Sequence, residues 1–153
     1  MKRAAIACGV FLALSVLHTW PIARAPRQNS LNANADAQLN AWIVSWVAHA
    51  LFTQPSRLYD GNIFAPEPRT LAYSDPMVVP GIAGAPLRWM GASPVLTFNI
   101  LLIAGLTMTA ASAWFVIWRW TGSSTAGLVA GALAAFNVHL LTRLPHLDRK
   151  SVV

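Results

Sequence analysis

Three long stretches without a charged side chain dominate the pattern of hydrophobic and polar positions. They cover residues 4–23, 89–118 and 125–141, and a long polar segment separates the first from the second. A helix needs about 20 mostly apolar residues to cross the hydrocarbon core of a bilayer. The pattern therefore predicts an all-α integral membrane protein with three transmembrane helices. The predicted helices are 1–24, 93–118 and 125–142.

The first stretch allows two interpretations. It follows a basic start, and Ala23-Arg24-Ala25 is compatible with the cleavage site of a signal peptide. An uncleaved signal-anchor helix fits better, because the apolar run continues to Trp20, a residue typical of the membrane interface, before Pro21 can end the helix. Under either interpretation the N-terminus stays in the cytoplasm, and residues 25–92 form a large extracytoplasmic loop.

The loop is predicted to contain an amphipathic helix over about 37–52, where apolar residues recur at helical spacing. Asn34 or Asp36 can cap its start, and an anion is also favoured there by the helix dipole. The helix is expected to lie flat at the membrane surface or to pack on other membrane helices. Its apolar positions are Leu39, Trp42, Ile43, Trp46, Val47 and Ala50.

The second half of the loop is rich in turn signals. Asp60-Gly61 predicts a turn, and Asp75 before Pro76 can cap a second short helix. Residues 77–87 are apolar but are interrupted by two prolines and two glycines. We expect this segment to be re-entrant or to lie on the surface, and not to span the membrane.

The second and third predicted transmembrane helices form a hairpin. Arg119 marks the cytoplasmic side, and residues 119–124 form a short cytoplasmic turn. Small residues four positions apart on the third helix allow another helix to approach closely. These residues are Gly127, Gly131 and Ala135. The third helix ends outside, where residues 143–147 form an external segment.

Composition and charge agree with a bilayer as solvent. Of the 153 residues 56% are hydrophobic and 10% charged, against about 25% charged in typical soluble domains. The net charge of +6 is carried mainly by arginine, without lysine blocks. This distribution indicates membrane anchoring and argues against nucleic-acid binding. A single cysteine, Cys8, allows neither a disulfide within the chain nor a cysteine metal site.

The last six residues, 148–153, resemble a common short-read sequencing adapter translated in one frame. On this interpretation the natural sequence known here ends at Leu147, and the chain is the N-terminal piece of a longer protein. We would expect such a piece to be inactive by itself. The alternative is a genuine basic tail after the third helix, which would leave Arg149 and Lys150 outside, against the positive-inside rule.

The order of these features resembles the GT-C superfamily of membrane glycosyltransferases, which includes protein O-mannosyltransferases and lipid A aminoarabinose transferases. The resemblance covers nearly all of residues 1–147. It is carried by Asn34-Ala35-Asp36 through Trp42, by Asn62 to Asp75, and by the external segment Arg143-Leu144-Pro145-His146-Leu147. It implies a multi-pass bacterial plasma-membrane enzyme that moves a sugar from a polyprenyl-phosphate donor to an unknown acceptor on the extracytoplasmic side.

In that family an acid in the first outer loop is the catalytic base or orients the acceptor, and Asp36 occupies this position. Many members have two adjacent acids, whereas here the neighbour is Ala37. The resemblance allows a divalent metal in the complete enzyme, although the sequence contains no metal-binding spacing. A cation near the donor phosphate would stabilise the departing charge.

The candidate substrate-binding residues are basic side chains and a second acid outside the predicted spans. Each has a plainer alternative: an arginine can anchor the chain at the interface, a histidine can lie on a helix face, and an aspartate can cap a helix. The candidates are Arg69, Arg143, His49, His146 and Asp75, and Arg57 is a further candidate for the donor phosphate.

A non-enzymatic polytopic protein, such as part of a transporter or an assembly factor, is the alternative class. A transporter should carry polar or charged residues in the middle of its spans. The predicted spans contain only isolated residues such as Asn99, Thr107 and Ser112. The polar content lies in the outer loop, which favours chemistry at the outer surface.

Overall fold

The computed structural model describes residues 2–27, 35–64, 66–73 and 75–138. Most of these residues are helical, and no strand occurs among them. The six α-helices are α1 (Lys2–His18), α2 (Trp20–Arg24), α3 (Ala35–Thr53), α4 (Val78–Trp89), α5 (Pro94–Thr121) and α6 (Ser124–Ala135). Short 3-10 helices cover Pro55–Arg57 and Thr70–Tyr73. The all-α prediction is confirmed for this part of the chain.

The chain divides into two compact units. Unit 1 consists of residues 1–25 and 102–153, and unit 2 of residues 26–101. The continuous helix α5 contributes its first residues to unit 2 and the rest to unit 1. Unit 2 thus corresponds closely to the polar segment that the sequence sets apart from the apolar stretches.

One helix among the described residues, α5, is long and apolar enough to cross a membrane. It has 28 residues, which is about 42 Å at the α-helical rise. Only 17% of its most apolar window is buried within the structure. Most of this apolar surface therefore lies open, unlike the surface of a helix in the core of a soluble domain.

The other two predicted spans are shorter in the structure than in the sequence-based prediction. The stretch 1–24 forms two helices, because α1 ends at His18 and Thr19 begins a new turn before α2. The 17 residues of α1 reach about 25 Å. Helix α6 ends at Ala135 rather than near residue 142, and the Phe136 N–H closes its last turn on the Ala132 carbonyl.

Unit 1 is built on close approach between α1, α5 and α6. Its core contains Phe11, Trp114 and three alanines. Gly131 of α6 lies so close to α5 that a Cβ there would come within 2.5 Å of the Ala110 carbonyl oxygen and of Phe11 Cζ. A Cβ at Gly127 would come within 2.8 Å of the Trp114 carbonyl oxygen. The predicted small-residue face is therefore the packing surface of α6.

Unit 2 is organised around α3, which includes the predicted helical range 37–52. The burial on α3 departs from the apolar stripe in the sequence: Leu39 of the stripe is exposed at 40%, whereas Val44 and two alanines outside it are buried. The buried residues are Ala41, Ile43, Val44, Val47, Ala48 and Ala50. Val44 and Val47 pack on glycines of α4, and Ile43 and Val47 share a core cluster with Leu71 from the loop. Trp46 reinforces this loop contact, since its Nε1 donates to the Leu58 carbonyl at 2.9 Å.

Helix α4 covers most of the apolar segment 77–87, and the glycines and prolines of this segment do not interrupt it. The expectation that the segment is re-entrant or lies on a surface stays a prediction. Val78–Trp89 is helical despite Pro86 inside it. Two glycines explain how the segment packs: a Cβ at Gly81 would lie 2.6 Å from Val47 Cβ, and one at Gly84 would lie 2.9 Å from Thr97 Cγ2. The glycines therefore allow close packing instead of interrupting the helix. With 12 residues, α4 is too short to span a bilayer, as expected.

Candidate functional site

Asp36 lies in the first turn of α3, as its second residue, and is half-buried. The helix begins at Ala35, so Asp36 is inside the helix and does not occupy the capping position. A carboxylate in the first turn still interacts favourably with the positive end of the helix dipole. The proposed acid is therefore fixed in position by the start of a well-packed helix.

The structure does not bring His49 to the same place as Asp36. The two residues are 13 positions apart on α3. This separation corresponds to about 20 Å along the helix axis and about 220° around it. His49 is exposed and faces Trp46, with ring centroids 6.4 Å apart. The two candidates thus cannot act on the same substrate atom while α3 stays intact.

Two loop aspartates have structural roles. Asp75 Oδ1 accepts a hydrogen bond from the Met77 N–H at 3.1 Å, so Asp75 organises the turn that leads into α4. The helix begins at Val78, so Pro76 lies before it and is not its first residue. Asp60 Oδ1 accepts from the Arg69 N–H at 2.9 Å and closes the preceding loop.

Arg69 is held by its backbone in this loop. Its φ is 56°, in the left-handed region that is uncommon for residues other than glycine. The adjacent Thr70 is buried, and its hydroxyl donates to the Gly61 carbonyl at 3.1 Å. The Arg69 side chain itself is exposed. Its site role stays a prediction, and the other external candidates, Arg143 and His146, lie outside the described residues.

Metal-binding side chains are not grouped in the part of the chain that the structure describes. No set of three histidine, cysteine, aspartate or glutamate residues there could hold a metal ion. The divalent metal that the GT-C resemblance allows therefore has no ligand set among these residues, and no step of the proposed chemistry uses one.

A cavity of about 280 Å³ lies between α3 and the end of α4. On α3, the lining residues are spaced so that they share one helix face. The lining consists of Ser45, Ala48, His49, Phe52 and Thr53 from α3 and Arg88 and Trp89 from α4. This cavity combines a basic side chain, a histidine and two aromatic rings within unit 2.

The polar groups of the cavity differ in whether they have hydrogen-bond partners. The Arg88 guanidinium donates through Nη1 to the Ala92 carbonyl. The Thr53 hydroxyl donates to the His49 carbonyl at 2.9 Å. The Ser45 hydroxyl oxygen is buried and has no hydrogen-bond partner among the described residues. The Ser45 hydroxyl is therefore a buried polar group of the cavity whose hydrogen-bonding capacity is unused.

Sequence reasoning singled out His49 but missed Arg88, Phe52 and Trp89. The spacing of His49 and Phe52 places them near each other on α3. Nothing in the sequence, however, pairs α3 with the last turn of α4. The signal that was available is the small-residue pair Gly81 and Gly84, which indicates close helix packing when it is placed on a helix.

No protein-family model matches the chain, and no curated protein or solved structure is detectably similar to it.

Proposed function

We propose that the chain is part of a multi-pass membrane glycosyltransferase that moves a sugar from a polyprenyl-phosphate donor to an acceptor on the extracytoplasmic side. In this proposal three segments span the plasma membrane of a bacterial cell, and residues 25–92 lie outside. Asp36 is the catalytic base or orients the acceptor. The proposal rests on the sequence resemblance to the GT-C superfamily.

The observation that best supports the proposal is that exposed apolar surface and acidic side chains lie in different parts of the chain. Helix α5 exposes most of its apolar surface, as a lipid-facing helix would. The acids Asp36, Asp60 and Asp75 all belong to unit 2. An enzyme that acts at the membrane surface on a lipid-linked substrate requires this division between a membrane-embedded part and a polar part.

The hydroxyl groups of α5 argue against a transporter. Thr107, Thr109 and Ser112 each donate to a carbonyl of their own helix four residues earlier, at 2.8, 2.9 and 2.8 Å. A hydroxyl satisfied in this way is compatible with an apolar helix and does not offer a free polar group to a transported solute. The satisfied hydroxyl groups of α5 therefore favour a membrane enzyme over a transporter.

The proposed chemistry is a displacement at the anomeric carbon. The Asp36 carboxylate takes the proton of the acceptor hydroxyl while the hydroxyl oxygen attacks the anomeric carbon. The bond from that carbon to the phosphate oxygen breaks, and the polyprenyl phosphate leaves with the electron pair. An arginine near the phosphate stabilises the charge on the leaving group, because its planar fork can bind two phosphate oxygens. Arg69, Arg143 and Arg57 are the candidates from the sequence.

A transfer assay tests the proposal directly. Membranes containing the product of the complete genomic reading frame would be supplied with radiolabelled sugars on a polyprenyl phosphate and, separately, on a nucleoside diphosphate. We expect label to move to a new acceptor only from the lipid-linked donor. Membranes from cells without the gene are the control. Transfer from the nucleotide sugar alone, or no transfer from any donor tested, would count against the assignment.

A further inference from the structure

We propose that the cavity between α3 and α4 binds a phosphate group that carries an apolar chain. The assignment rests on this cavity alone and holds whether or not the protein transfers a sugar. Arg88 and His49 would hold the phosphate, and Phe52 and Trp89 would contact the chain.

Arg88 supplies a permanent positive charge. It is half-buried, and among the described residues its guanidinium makes one hydrogen bond, to the Ala92 carbonyl, and no ion pair. A guanidinium has five N–H donors, so most of them remain for a ligand. The bond to Ala92 also restricts the orientation of the side chain. A partly desolvated cation without a carboxylate partner is a strong attraction for an anion.

His49 adds a second group that can donate to an oxyanion. Its backbone carbonyl is occupied by the Thr53 hydroxyl, whereas its ring has no hydrogen-bond partner in the part of the chain that the structure describes. The imidazole presents an N–H donor in either protonation state. Arg88 and His49 can therefore both donate to the oxygens of a phosphate monoester, whose charge at neutral pH is about −1.5 to −2.

The buried Ser45 hydroxyl is consistent with a polar ligand. An unsatisfied buried polar group destabilises the folded protein, and the Ser45 Oγ is such a group in the lining of this cavity. A phosphate oxygen that reaches it would remove this cost. The hydroxyl therefore gives a reason, independent of charge, to expect an oxygen-bearing ligand.

The aromatic residues explain why an apolar chain is part of the proposal. Phe52 and Trp89 meet edge to face with ring centroids 4.5 Å apart. Both are large apolar side chains left exposed, at 56% and 61%. Burial of such apolar surface against a ligand is favourable. The volume of about 280 Å³ is also close to the lower limit of small-molecule sites, roughly 300 Å³, and leaves room beside a phosphate.

The site is tested by native mass spectrometry. This experiment measures the binding of dodecyl phosphate to the purified full chain in a neutral detergent. We expect one bound molecule, and no binding of inorganic phosphate at the same concentration. Arg88→Gln should weaken binding roughly tenfold or more, the scale of a hydrogen bond to a charged group. His49→Gln should weaken it less. Arg27→Gln is the matched control, because Arg27 is an exposed arginine of the same unit outside the cavity.

Several results would overturn the proposal. Equal weakening by Arg88→Gln and Arg27→Gln would mean that the charge of the whole unit attracts the ligand. If inorganic phosphate binds as tightly as dodecyl phosphate, the apolar chain does not contribute to binding and the cavity is a site for free phosphate. If circular dichroism finds Arg88→Gln unfolded, His49→Gln decides, since His49 is exposed; unchanged binding by that variant would then refute the site.

Discussion

Gly81 of α4 lies directly against Val47 of α3, where a Cβ on the glycine would come within 2.6 Å of the valine Cβ. Nonbonded carbon atoms normally stay about 3.5–4.0 Å apart. The two helices can therefore approach this closely only because position 81 has no side chain. Because α3 also carries Asp36 and one wall of the cavity, this contact helps to determine the geometry of both proposed sites.

We predict that Gly81→Ala destabilises unit 2 by about 1–3 kcal/mol, the usual cost of overpacking. The preference of a helix for alanine, about 1 kcal/mol, would reduce the observed loss. The midpoint of thermal unfolding in neutral detergent, followed by circular dichroism, measures the effect. Gly105→Ala is the control, because a Cβ there would meet nothing within 4 Å; it should leave the midpoint unchanged or raise it.

A double variant identifies the cause of the loss. The atom closest to the added methyl group is Cγ1 of Val47, which Val47→Ala removes. We therefore expect Gly81→Ala and Val47→Ala to be less destabilising together than the sum of their separate effects. Strict additivity would show that Gly81 matters through the backbone of α4 and not through its contact with Val47.

The sequence predicted the helices better than their packing. The apolar periodicity of 37–52 correctly indicated α3, because a helix face that packs on neighbours requires regular spacing. Glycine and proline in 77–87, by contrast, suggested interruptions in a segment that is helical from Val78. Gly81 and Gly84 serve close packing between elements, a property of two segments together that no single stretch of sequence reveals.

The candidate site was predictable only in part for the same reason. Asp36 was identified from its place along the chain, and its location at the start of α3 follows from local helix signals. The pairing of Phe52 with Trp89 depends on where α4 ends relative to α3. The separation of Asp36 from His49 follows from the sequence once both residues are assigned to one helix, since 13 positions place them about 20 Å apart.

We predict that unit 2 faces outward and that the turn between α5 and α6 faces the cytoplasm. Two single-cysteine variants test this, with Cys8 replaced first: Ser56→Cys in the loop and Thr125→Cys at the start of α6, both at exposed positions. A maleimide that cannot cross membranes should label position 56 in right-side-out vesicles and position 125 only in inverted ones. Labelling of both positions from the same side would contradict a membrane crossing by α5.

The role of Asp36 is tested by Asp36→Asn in the complete gene product. Asparagine keeps the size of the side chain but removes its charge and its basicity. If Asp36 only stabilises the start of α3, Asp36→Asn removes the interaction of its carboxylate with the helix dipole. This change should reduce stability by about 0.3–1 kcal/mol and leave transfer nearly normal. If Asp36 is the catalytic base, transfer should fall roughly a hundredfold or more, while the amount of protein in the membrane stays the same.

Asp75→Asn is the matched control for this experiment. Asp75 uses Oδ1 to accept from the Met77 N–H, and the side-chain oxygen of asparagine can accept the same bond. The change should therefore leave both folding and transfer intact. Equal losses at positions 36 and 75 would mean that the two acids act as a pair, which their separate structural settings do not predict. Normal transfer by Asp36→Asn would remove the residue on which the proposed mechanism depends, because no other acid in unit 2 holds the position at the start of α3 that the resemblance assigns to the catalytic base.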